Sequence, residues 1–570
     1  MLSLKLRFAG ARPAISLRSS DETLAVALAW LAALVLLAFI AWPLMSMFGM
    51  TTQARDGSYV GLSNWTGLLL ESRLRDATWN SVALALATLL VVLPSAMAFA
   101  FALTRSYIPG RRLFRLIALS PMLAPSLMPA ISLVYLFGNQ GLLKGWLVAH
   151  SIYGPIGIVL GEAFYTFPHA LLILTAALGM ADARLYEAAE TLGAGKLRRF
   201  LTITVPNARY GIVSAAMVVF TLVVTDFGVP KVIGGHTNVL ALEAYKQVIG
   251  QQNFSKGAVI GVLLLLPAVL SFAVEQWLSR RQSVQMSGRS VLYRPRKSVA
   301  RDTALWSWCA LVSIFLLAFL GVAAAAAFIK SWPYDFSLTL AHFDFDQLDG
   351  GGWQSFRNSA KLALLVTMFG TGFIFVCAYL VSKMPVPRLA ATTIRSLALL
   401  PMAVPGMVLG LGYILCFNNP ANPLHRLYGS MALLVIATIA HFYTTAHLTI
   451  TTALRQMDGE IEAVARSLRS PWWVTLRRVT LPVSLPAILD VARYLFVSSM
   501  TTVSCVIFLY TPDTVLAALA VLNMDDAGDT ASAAAMSTLI VGSSLLATLL
   551  MNGVGWWVNR RAQDWRRTCH

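Results

Sequence analysis

The 570-residue chain has little charge. Only 12% of its residues are Asp, Glu, Lys or Arg, against roughly 25% in soluble globular proteins, and 57% are hydrophobic. Half the usual charge cannot cover the surface of a water-soluble body of this size, and a mean hydropathy of +0.68 agrees with that. The composition excludes a soluble enzyme and a disordered protein, and it predicts a polytopic membrane protein.

Cysteine is also scarce and scattered. No two cysteines form a CxxC pair, and none has a histidine at a spacing suited to a metal. A disulfide-stapled secreted domain is therefore excluded, and the sequence predicts no metal site, no cofactor and no catalytic group. The five cysteines, four of them in or beside apolar runs, are Cys309, Cys377, Cys416, Cys505 and Cys569.

Twelve apolar runs are long enough to cross the hydrocarbon layer, which takes about 20 residues of helix. Because a backbone in lipid must satisfy its own hydrogen bonds, we predict twelve transmembrane helices and an all-α polytopic membrane protein. The predicted spans are 24–50, 80–104, 116–141, 156–181, 210–229, 257–274, 304–329, 362–382, 396–417, 430–454, 494–511 and 531–558.

The net charge of +18 reflects where the basic residues lie relative to these spans. With the N-terminus placed in the cytoplasm, 32 of the 44 Lys and Arg residues fall in the inside segments, and the acidic clusters at 335–349 and 513–529 fall outside. This asymmetry predicts that both termini are cytoplasmic. It also accounts for most of the positive charge, so no nucleic-acid partner is needed.

Short words recur between the first six and the last six spans, at offsets of 276 to 280 residues. Six is an even number, so both halves enter the membrane in the same direction, with a pseudo-two-fold axis along the membrane normal and a shared pathway between them. The predicted division is a tail 1–22, a first half 23–278, a linker 279–303, a second half 304–558 and a tail 559–570. The recurring words are Asn80-Ser81 and Asn358-Ser359, PMLAP at 121–125 and PMAVP at 401–405, Asp182 and Asp458, and Pro206 and Pro482.

The first long cytoplasmic loop, 182–206, predicts a short helix, a turn at a glycine and a second, basic helix ahead of the next span. From the residues alone, it could be an ordinary amphipathic loop helix or a shape that fits a partner's groove. Its sequence resembles the EAA loop of the inner-membrane components of binding-protein-dependent ABC importers. The residues that carry the resemblance are Glu187, Ala188, Ala189, Gly193 six positions after the glutamate, and Pro206 after Val205.

The second loop, 458–482, departs from that pattern. Aligned on Pro482, the glutamate position holds Ala463, the glycine position holds Arg469, and Glu462 comes one residue early. This departure predicts that the acidic contact of the second loop is weaker or rotated.

The resemblance covers nearly the whole chain and implies two six-helix permease domains in the bacterial inner membrane. It implies that each loop is a coupling helix that docks on one of two copies of a cytoplasmic ATPase, and that a periplasmic binding protein delivers the substrate. The chain has no GxxxxGK[ST] phosphate loop, so ATP hydrolysis is expected on another polypeptide and the permease is no enzyme. An ion-coupled secondary transporter is the alternative from another class, but it would want more ionisable residues within the spans.

Candidate substrate contacts lie where polar residues interrupt the spans, since charge in a membrane is costly and often functional. Asp226 at the end of the fifth span is one, although it could also face water. The hydroxyl groups of the second half could bind an oxyanion or form hydrogen bonds between helices. The candidates are Thr225, Asp226, Lys231 and His236 in the first half, and Thr501, Thr502 and Ser504 in the second.

Three other polar residues lie within spans. Glu162 is expected to make an interhelical contact. His441 and His447 are six residues apart on one helix and project on different faces, so we expect them to be satisfied internally, and a membrane-embedded enzyme is disfavoured.

The segments 225–228, 238–254, 500–510 and 521–525 resemble the fused permease of 2-aminoethylphosphonate importers. Fused ferric-ion permeases are the main alternative, and no motif decides between these substrates on chemical grounds.

Overall fold

The computed structural model describes residues 20–147, 151–179, 183–282, 295, 297–347, 351–458, 460–468 and 470–567. Asp182 and Arg469, which the sequence places in the two loops, lie outside the described residues, as do most of the N-terminal tail and of the linker. The described part is overwhelmingly helical and includes one short antiparallel ribbon, β1 (Ile329–Ser331) and β2 (Asp335–Leu338).

Nine helices repeat in the same order in the two halves, and two short helices of the first half, Ser63–Leu70 and Gly228–Ile233, have no helical counterpart in the described part of the second. Those of the first half are α1 (Thr23–Met50), α2 (Ser63–Leu70), α3 (Ser72–Arg105), α4 (Arg111–Leu123), α5 (Met128–Phe137), α6 (Pro155–Gly179), α7 (Ala183–Thr191), α8 (Lys196–Thr225), α9 (Gly228–Ile233), α10 (Leu240–Tyr245) and α11 (Phe254–Gln282). Those of the second half are α12 (Val299–Phe328), α13 (Gly352–Lys383), α14 (Arg388–Ala403), α15 (Gly406–Phe417), α16 (Met431–Arg455), α17 (Glu460–Ser467), α18 (Trp472–Thr501), α19 (Ala517–Asp526) and α20 (Thr530–Arg567).

Among the described residues, ten helices are long and apolar enough to cross a membrane, and two bent pairs bring the number of possible spans to twelve. The third and ninth predicted spans are these pairs: α4 and α5 meet at 103°, and α14 and α15 at 115°. The PMLAP and PMAVP words cause the bends. Proline disfavours helical geometry in the residue before it, and Ala124 and Val404 are indeed extended.

The fifth and eleventh spans lie closer to the N-terminus than the hydropathy predicts. The helices α8 and α18 begin within the long loops and end at Thr225 and Thr501, so Asp226 follows its helix instead of lying inside it. Pro206 and Pro482, expected to end the loops, lie inside these helices. A wide π turn precedes each proline, at Phe200–Thr204 and Leu476–Thr480, so the helix continues past a residue that has no N–H.

The recurring Asn-Ser words perform the same task in both halves. The Ser81 hydroxyl accepts the N–H of Leu240 at 2.9 Å, and the Ser359 hydroxyl accepts the N–H of Ala517 at 2.8 Å. Ser81 therefore caps the start of the short helix α10, and Ser359 caps the start of the short helix α19. Both words lie inside α3 and α13, which begin earlier than the predicted spans.

The first helix of each half packs on the other half. The Tyr413 hydroxyl of α15 donates to the carbonyl of Phe39 in α1, at 2.5 Å. In the reciprocal place, the Ser132 hydroxyl of α5 donates to the carbonyl of Phe319 in α12, at 2.6 Å. The Phe164 ring stacks on Phe319, with centroids 5.3 Å apart. This exchange holds the two halves together around their shared axis.

Candidate functional site

A cavity of about 170 Å³ lies where the two halves meet. Its first-half wall comes from the bend between α4 and α5, from α6, and from the chain just after α8. Its second-half wall comes from α16, the end of α18 and the chain that follows. Polar groups from both halves face this cavity, among them Ser126, Tyr165, Asp226, His441, Ser498 and Ser504.

Two carboxyl groups meet at the first-half wall. Asp226 is extended (φ −72°, ψ 137°), and its Oδ2 accepts the N–H of Val229 at 2.9 Å, which caps the short helix α9. Glu162 of α6 is 0% exposed, and its carboxyl lies within hydrogen-bonding reach of Asp226. No donor in the described part of the chain reaches either oxygen of Glu162. Two carboxyls share a hydrogen bond only when one of them carries the proton, so the bonded pair holds a single negative charge.

The second-half wall carries neutral groups where the first half carries acid. At the repeat offset of 276, Thr502 takes the place of Asp226 and Ser504 that of Gly228. A Cβ on Gly406 would meet Ser504 Oγ at 2.4 Å and His441 Nε2 at 3.0 Å, so these two side chains converge on the start of α15. In the first half the glycine and the serine exchange places: Gly228 stands at the position of Ser504, and Ser126 at that of Gly406. A Cβ on Gly228 would meet Ser126 Oγ at 2.4 Å.

The cavity includes four of the seven predicted substrate contacts: Asp226, Thr501, Thr502 and Ser504. Thr225 does not line it; its hydroxyl donates to the carbonyl of Thr221 in its own helix at 2.8 Å. His236 is exposed in the turn between α9 and α10. Lys231 lies further along α9, where its Nζ is 2.9 Å from Oδ1 of Asp526 in the second half.

Sequence reasoning missed His441 as a cavity residue. A lone histidine in an apolar helix gives no partner in the sequence. An offset of 278 residues relates α6 to α16 and places His441 next to the position that corresponds to Glu162. Comparison of the two helices could therefore have identified His441. His447, by contrast, is 4% exposed and stacks on Tyr443, with centroids 5.4 Å apart.

Beyond the cavity, the ends of α9 and α19 bring charges from both halves together. Asp525 is next to the Lys231–Asp526 pair and outside the helices long enough to span. Burial raises the pKa of Asp525 to about 6, the neighbouring Asp526 adds to the rise, and Lys231 acts against it.

The short helix α7 is anchored to the body by its buried face. Tyr186 is buried, and its hydroxyl is 2.9 Å from Thr204 Oγ1 in α8. The Arg105 guanidinium lies 5.0 Å from the centroid of the Tyr186 ring and donates to the carbonyl of Leu178 at 2.6 Å. Glu187 and Ala188, on the other face, are exposed.

The two loop helices end in the same way. Gly193 has φ +71°, which favours glycine, and the N–H of Ala194 bonds the carbonyl of Ala189 at 2.9 Å. At the matching positions of the second loop, Ser470 bonds Ala465 at the same distance. The backbone of Glu462 and Ala463 lies in α17. Beyond the helix ends, Leu192 and Leu468 are 85% and 75% exposed at equivalent positions.

Fold and site together define a duplicated all-α membrane protein with a polar cavity between its halves. Residues 95–284 and 370–563 each match the family described as binding-protein-dependent transport system inner membrane component. These matches cover more than half of the chain, which belongs to this family. It is a fused, two-domain permease of an ABC importer and a multi-pass protein of the bacterial inner membrane.

Curated relatives include permeases for different solutes. The chain is 27% identical to the putative ferric transport system permease protein FbpB 1 of Haemophilus influenzae, over 84% of this chain and 77% of the relative. It is 28% identical to the molybdenum transport system permease protein ModB of Escherichia coli, over 36% of this chain and 96% of the relative. It is 26% identical to the putative 2-aminoethylphosphonate transport system permease protein PhnV of Salmonella choleraesuis, over 39% of this chain and 82% of the relative.

Among solved structures, a chain of a bacterial alginate ABC transporter in complex with a periplasmic protein is similar at a TM-score of 0.39 and 15% identity. The match covers 47% of this chain and 96% of the alginate-transporter chain.

Proposed function

We propose that the permease imports 2-aminoethylphosphonate, delivered by a periplasmic binding protein and driven by two copies of a separate cytoplasmic ATPase. The observation that carries the substrate is the composition of the central cavity. The first-half wall has the Asp226 carboxyl beside Ser126, Tyr165 and His169, and the second-half wall has hydroxyls and the His441 imidazole. A zwitterion with an ammonium group at one end and a phosphonate at the other complements both walls.

The two loop helices are the proposed ATPase contacts. Each leaves a large apolar side chain, Leu192 or Leu468, exposed at the same place of the repeat, and the proposed ATPase would cover both. The proposed contact residues are Glu187, Ala188, Ala189 and Gly193 in the first loop, Glu462, Ala463 and Arg469 in the second, and Pro206 and Pro482 behind them.

In this proposal the permease domains are 23–278 and 304–558, joined by the linker 279–303, with both termini in the cytoplasm. ATP would draw the two loop helices together and tip the halves toward the outward-facing state, because the ATPases bind the loops differently in the two states. Hydrolysis would reset them.

A ferric-ion permease is the second candidate. It is favoured by relatives such as the Haemophilus influenzae ferric permease, which match along most of the chain, whereas the 2-aminoethylphosphonate relative matches 39% of it. Fe³⁺ is a hard cation, and the carboxyl oxygens of Asp226 and Glu162 are ligands it would accept.

Growth of a deletion strain decides between the two solutes. The strain is grown with 2-aminoethylphosphonate as sole phosphorus source, and separately on limiting iron with ample phosphate. The proposal expects a growth defect only on 2-aminoethylphosphonate, restored by the wild-type gene and not by the Glu187→Lys, Gly193→Asp double variant, although that variant is present in the membrane. A defect confined to limiting iron would overturn the phosphonate proposal, and full growth with the double variant would overturn the loop assignment.

A further inference from the structure

A groove of about 470 Å³ lies where α12, the first helix of the second half, crosses α3 and α6 of the first half. We propose that this groove holds an acyl chain of an anionic phospholipid, whose phosphate binds Arg111 and Lys297 at the end of the groove nearer the loop helix α7. The proposal concerns the surrounding membrane and goes beyond the transport of a solute, so it does not depend on which solute the permease imports.

The groove is apolar and open to the surroundings of the helices. Two of its lining residues, Val91 of α3 and Leu311 of α12, are 50% and 58% exposed. At its wall, Trp308 Nε1 donates to the carbonyl of Ser95 at 3.4 Å, which joins α12 to α3. Val91 and Ser95 lie near the middle of α3, a helix of 34 residues, so the groove is at the depth of the hydrocarbon layer. An apolar groove at this depth suits an acyl chain.

Basic side chains gather where α3 ends and α12 begins. Arg105, the last residue of α3, lies against Tyr186 of α7, so this end is on the side of the loop helix. Two more cations lie near the Tyr107 ring: Lys297 Nζ is 4.8 Å and the Arg111 guanidinium carbon 5.8 Å from its centroid. Arg111 Nη2 is buried and has no hydrogen-bond partner among the described residues. A buried guanidinium N–H without an acceptor is costly, and a phosphate oxygen is an acceptor that suits it.

This basic cluster has an excess of positive charge. The segments 101–119 and 297–308 contain six Lys and Arg residues and a single carboxylate, Asp302. That carboxylate is already engaged, since Arg301 Nη2 is 2.7 Å from its Oδ1 and the N–H of Ser298 bonds its Oδ2 at 3.0 Å. Basic clusters at the ends of membrane-spanning helices attract anionic headgroups. A helix of another protein could fill the groove but would bring no phosphate to the cluster, so a phospholipid fits both features.

The cluster and the groove lie along the same side of α12. Arg301 is seven residues before Trp308, which is about 10 Å along the helix axis and within about 20° of the same face. Trp306 and Trp308 are 43% and 38% exposed, and the Trp306 ring packs on Phe114 of α4 with centroids 6.1 Å apart. Exposed tryptophans are typical of the depth at which headgroups meet acyl chains. A lipid whose phosphate binds the cluster would therefore have its chain at the level of the groove.

The test is lipid binding by the full permease–ATPase complex, stripped of lipid in detergent and titrated with phosphatidylglycerol or with phosphatidylcholine of identical chains. Native mass spectrometry measures the bound lipid. We expect the wild type to bind phosphatidylglycerol at least tenfold more tightly than phosphatidylcholine. Lys297→Gln and Arg111→Gln should each weaken phosphatidylglycerol roughly fivefold, as expected for one basic residue near an anionic lipid, and should leave phosphatidylcholine within about twofold. Lys297 is exposed, so its substitution tests the headgroup end without disturbing the fold.

The groove is tested separately from the cluster. Val91→Phe places a larger side chain in the groove at a half-exposed position, so it should weaken both lipids several-fold. Its matched control is Leu90→Phe, which changes the neighbouring residue of α3, 76% exposed and outside the groove lining. The control for the cluster is Arg388→Gln, an exposed residue that starts α14 at an offset of 277 from Arg111. Both controls should bind the two lipids like wild type.

Three results would overturn the proposal. Equal affinity of the wild type for the two lipids would remove the headgroup end, and equal effects of Val91→Phe and Leu90→Phe would remove the groove. Inorganic phosphate is the third probe, because a free anion has the same charge chemistry without a chain. If phosphate displaces phosphatidylglycerol completely at the same concentration, the cluster binds a free anion and the lipid assignment is wrong.

Discussion

Lys231 Nζ of the first half lies 2.9 Å from Asp526 Oδ1 of the second half. Lys231 is on α9, which starts directly after the cavity residue Asp226, and Asp526 ends α19. This ion pair therefore ties the two halves together just beyond the cavity, on the side away from the loop helices. Opening the halves on that side has to break it.

Removal of this ion pair should ease outward opening. Lys231 and Asp526 side chains are 22% and 48% exposed, and a partly exposed pair contributes at most about 1 kcal/mol. We expect Lys231→Met to raise ATP hydrolysis without binding protein up to about fivefold in proteoliposomes. Lys330→Met, which removes the pair with Asp335 in the ribbon of one half at 3.6 Å, is the control. Equal rates in the two variants would show that the Lys231 pair does not restrain opening.

The stability of the complex should depend on pH through Asp525. Its pKa is raised to about 6 from 3.8. The native state therefore holds this proton more tightly than the unfolded chain does, and the stabilisation is complete below pH 3.8 and is lost as pH rises through about 6. Asp525→Asn removes the ionisable group, so its unfolding temperature should exceed that of the wild type by more at pH 7.5 than at pH 5.

The control for the pH experiment is Asp513→Asn, which changes an exposed side chain in the chain segment between α18 and α19. It should follow the wild-type unfolding curve at both pH values. A difference between Asp525→Asn and wild type that stays constant with pH would refute the assignment.

The first loop should tolerate a methyl group at one glycine and not at the other. Gly193 has φ +71° and Gly195 has φ −64°, and a Cβ at either would meet no atom within 4 Å. Only the backbone therefore distinguishes them, and Gly193→Ala costs about 1–2 kcal/mol through its left-handed conformation. We expect Gly193→Ala to lower uptake several-fold, Gly195→Ala to leave it unchanged, and Gly193→Asn to fall between. Equal uptake in both alanine variants would count against the strained turn.

The hydroxyl contact between Tyr186 and Thr204 should show in a double-mutant cycle. Tyr186→Phe and Thr204→Val each break the same buried bond, and each should lower the stability of the loop helix by roughly 1–3 kcal/mol. The double variant should cost less than the sum, because neither group is then left unpaired. Uptake and protease protection of the loop are the measurements, and strict additivity would mean that the contact does not couple the loop to α8.

Hydropathy predicted the ten straight spans, because each is one apolar run of sufficient length. It did not predict the two bends, since a bent pair and a straight span have the same mean hydropathy. It placed the ends of α8 and α18 too late, because the chain after Thr225 and Thr501 is also apolar but packs inside the protein.

The site was predictable where a residue broke the apolar pattern, as Asp226 does, or where hydroxyls clustered, as at Thr501, Thr502 and Ser504. The convergence of Gly406, His441 and Ser504 was not, because these residues lie on three separate segments and only the fold brings them together. The partner of Lys231 was hidden for the same reason.

The exchange of first helices has a consequence for assembly. Each half has its own six-span set, but α1 rests on the second half and α12 on the first through the Tyr413–Phe39 and Ser132–Phe319 bonds. A half made alone would expose the part of its first helix that the other half covers. Two halves expressed as separate polypeptides, divided within 279–303, should therefore associate with each other. The covalent fusion then mainly guarantees their one-to-one ratio.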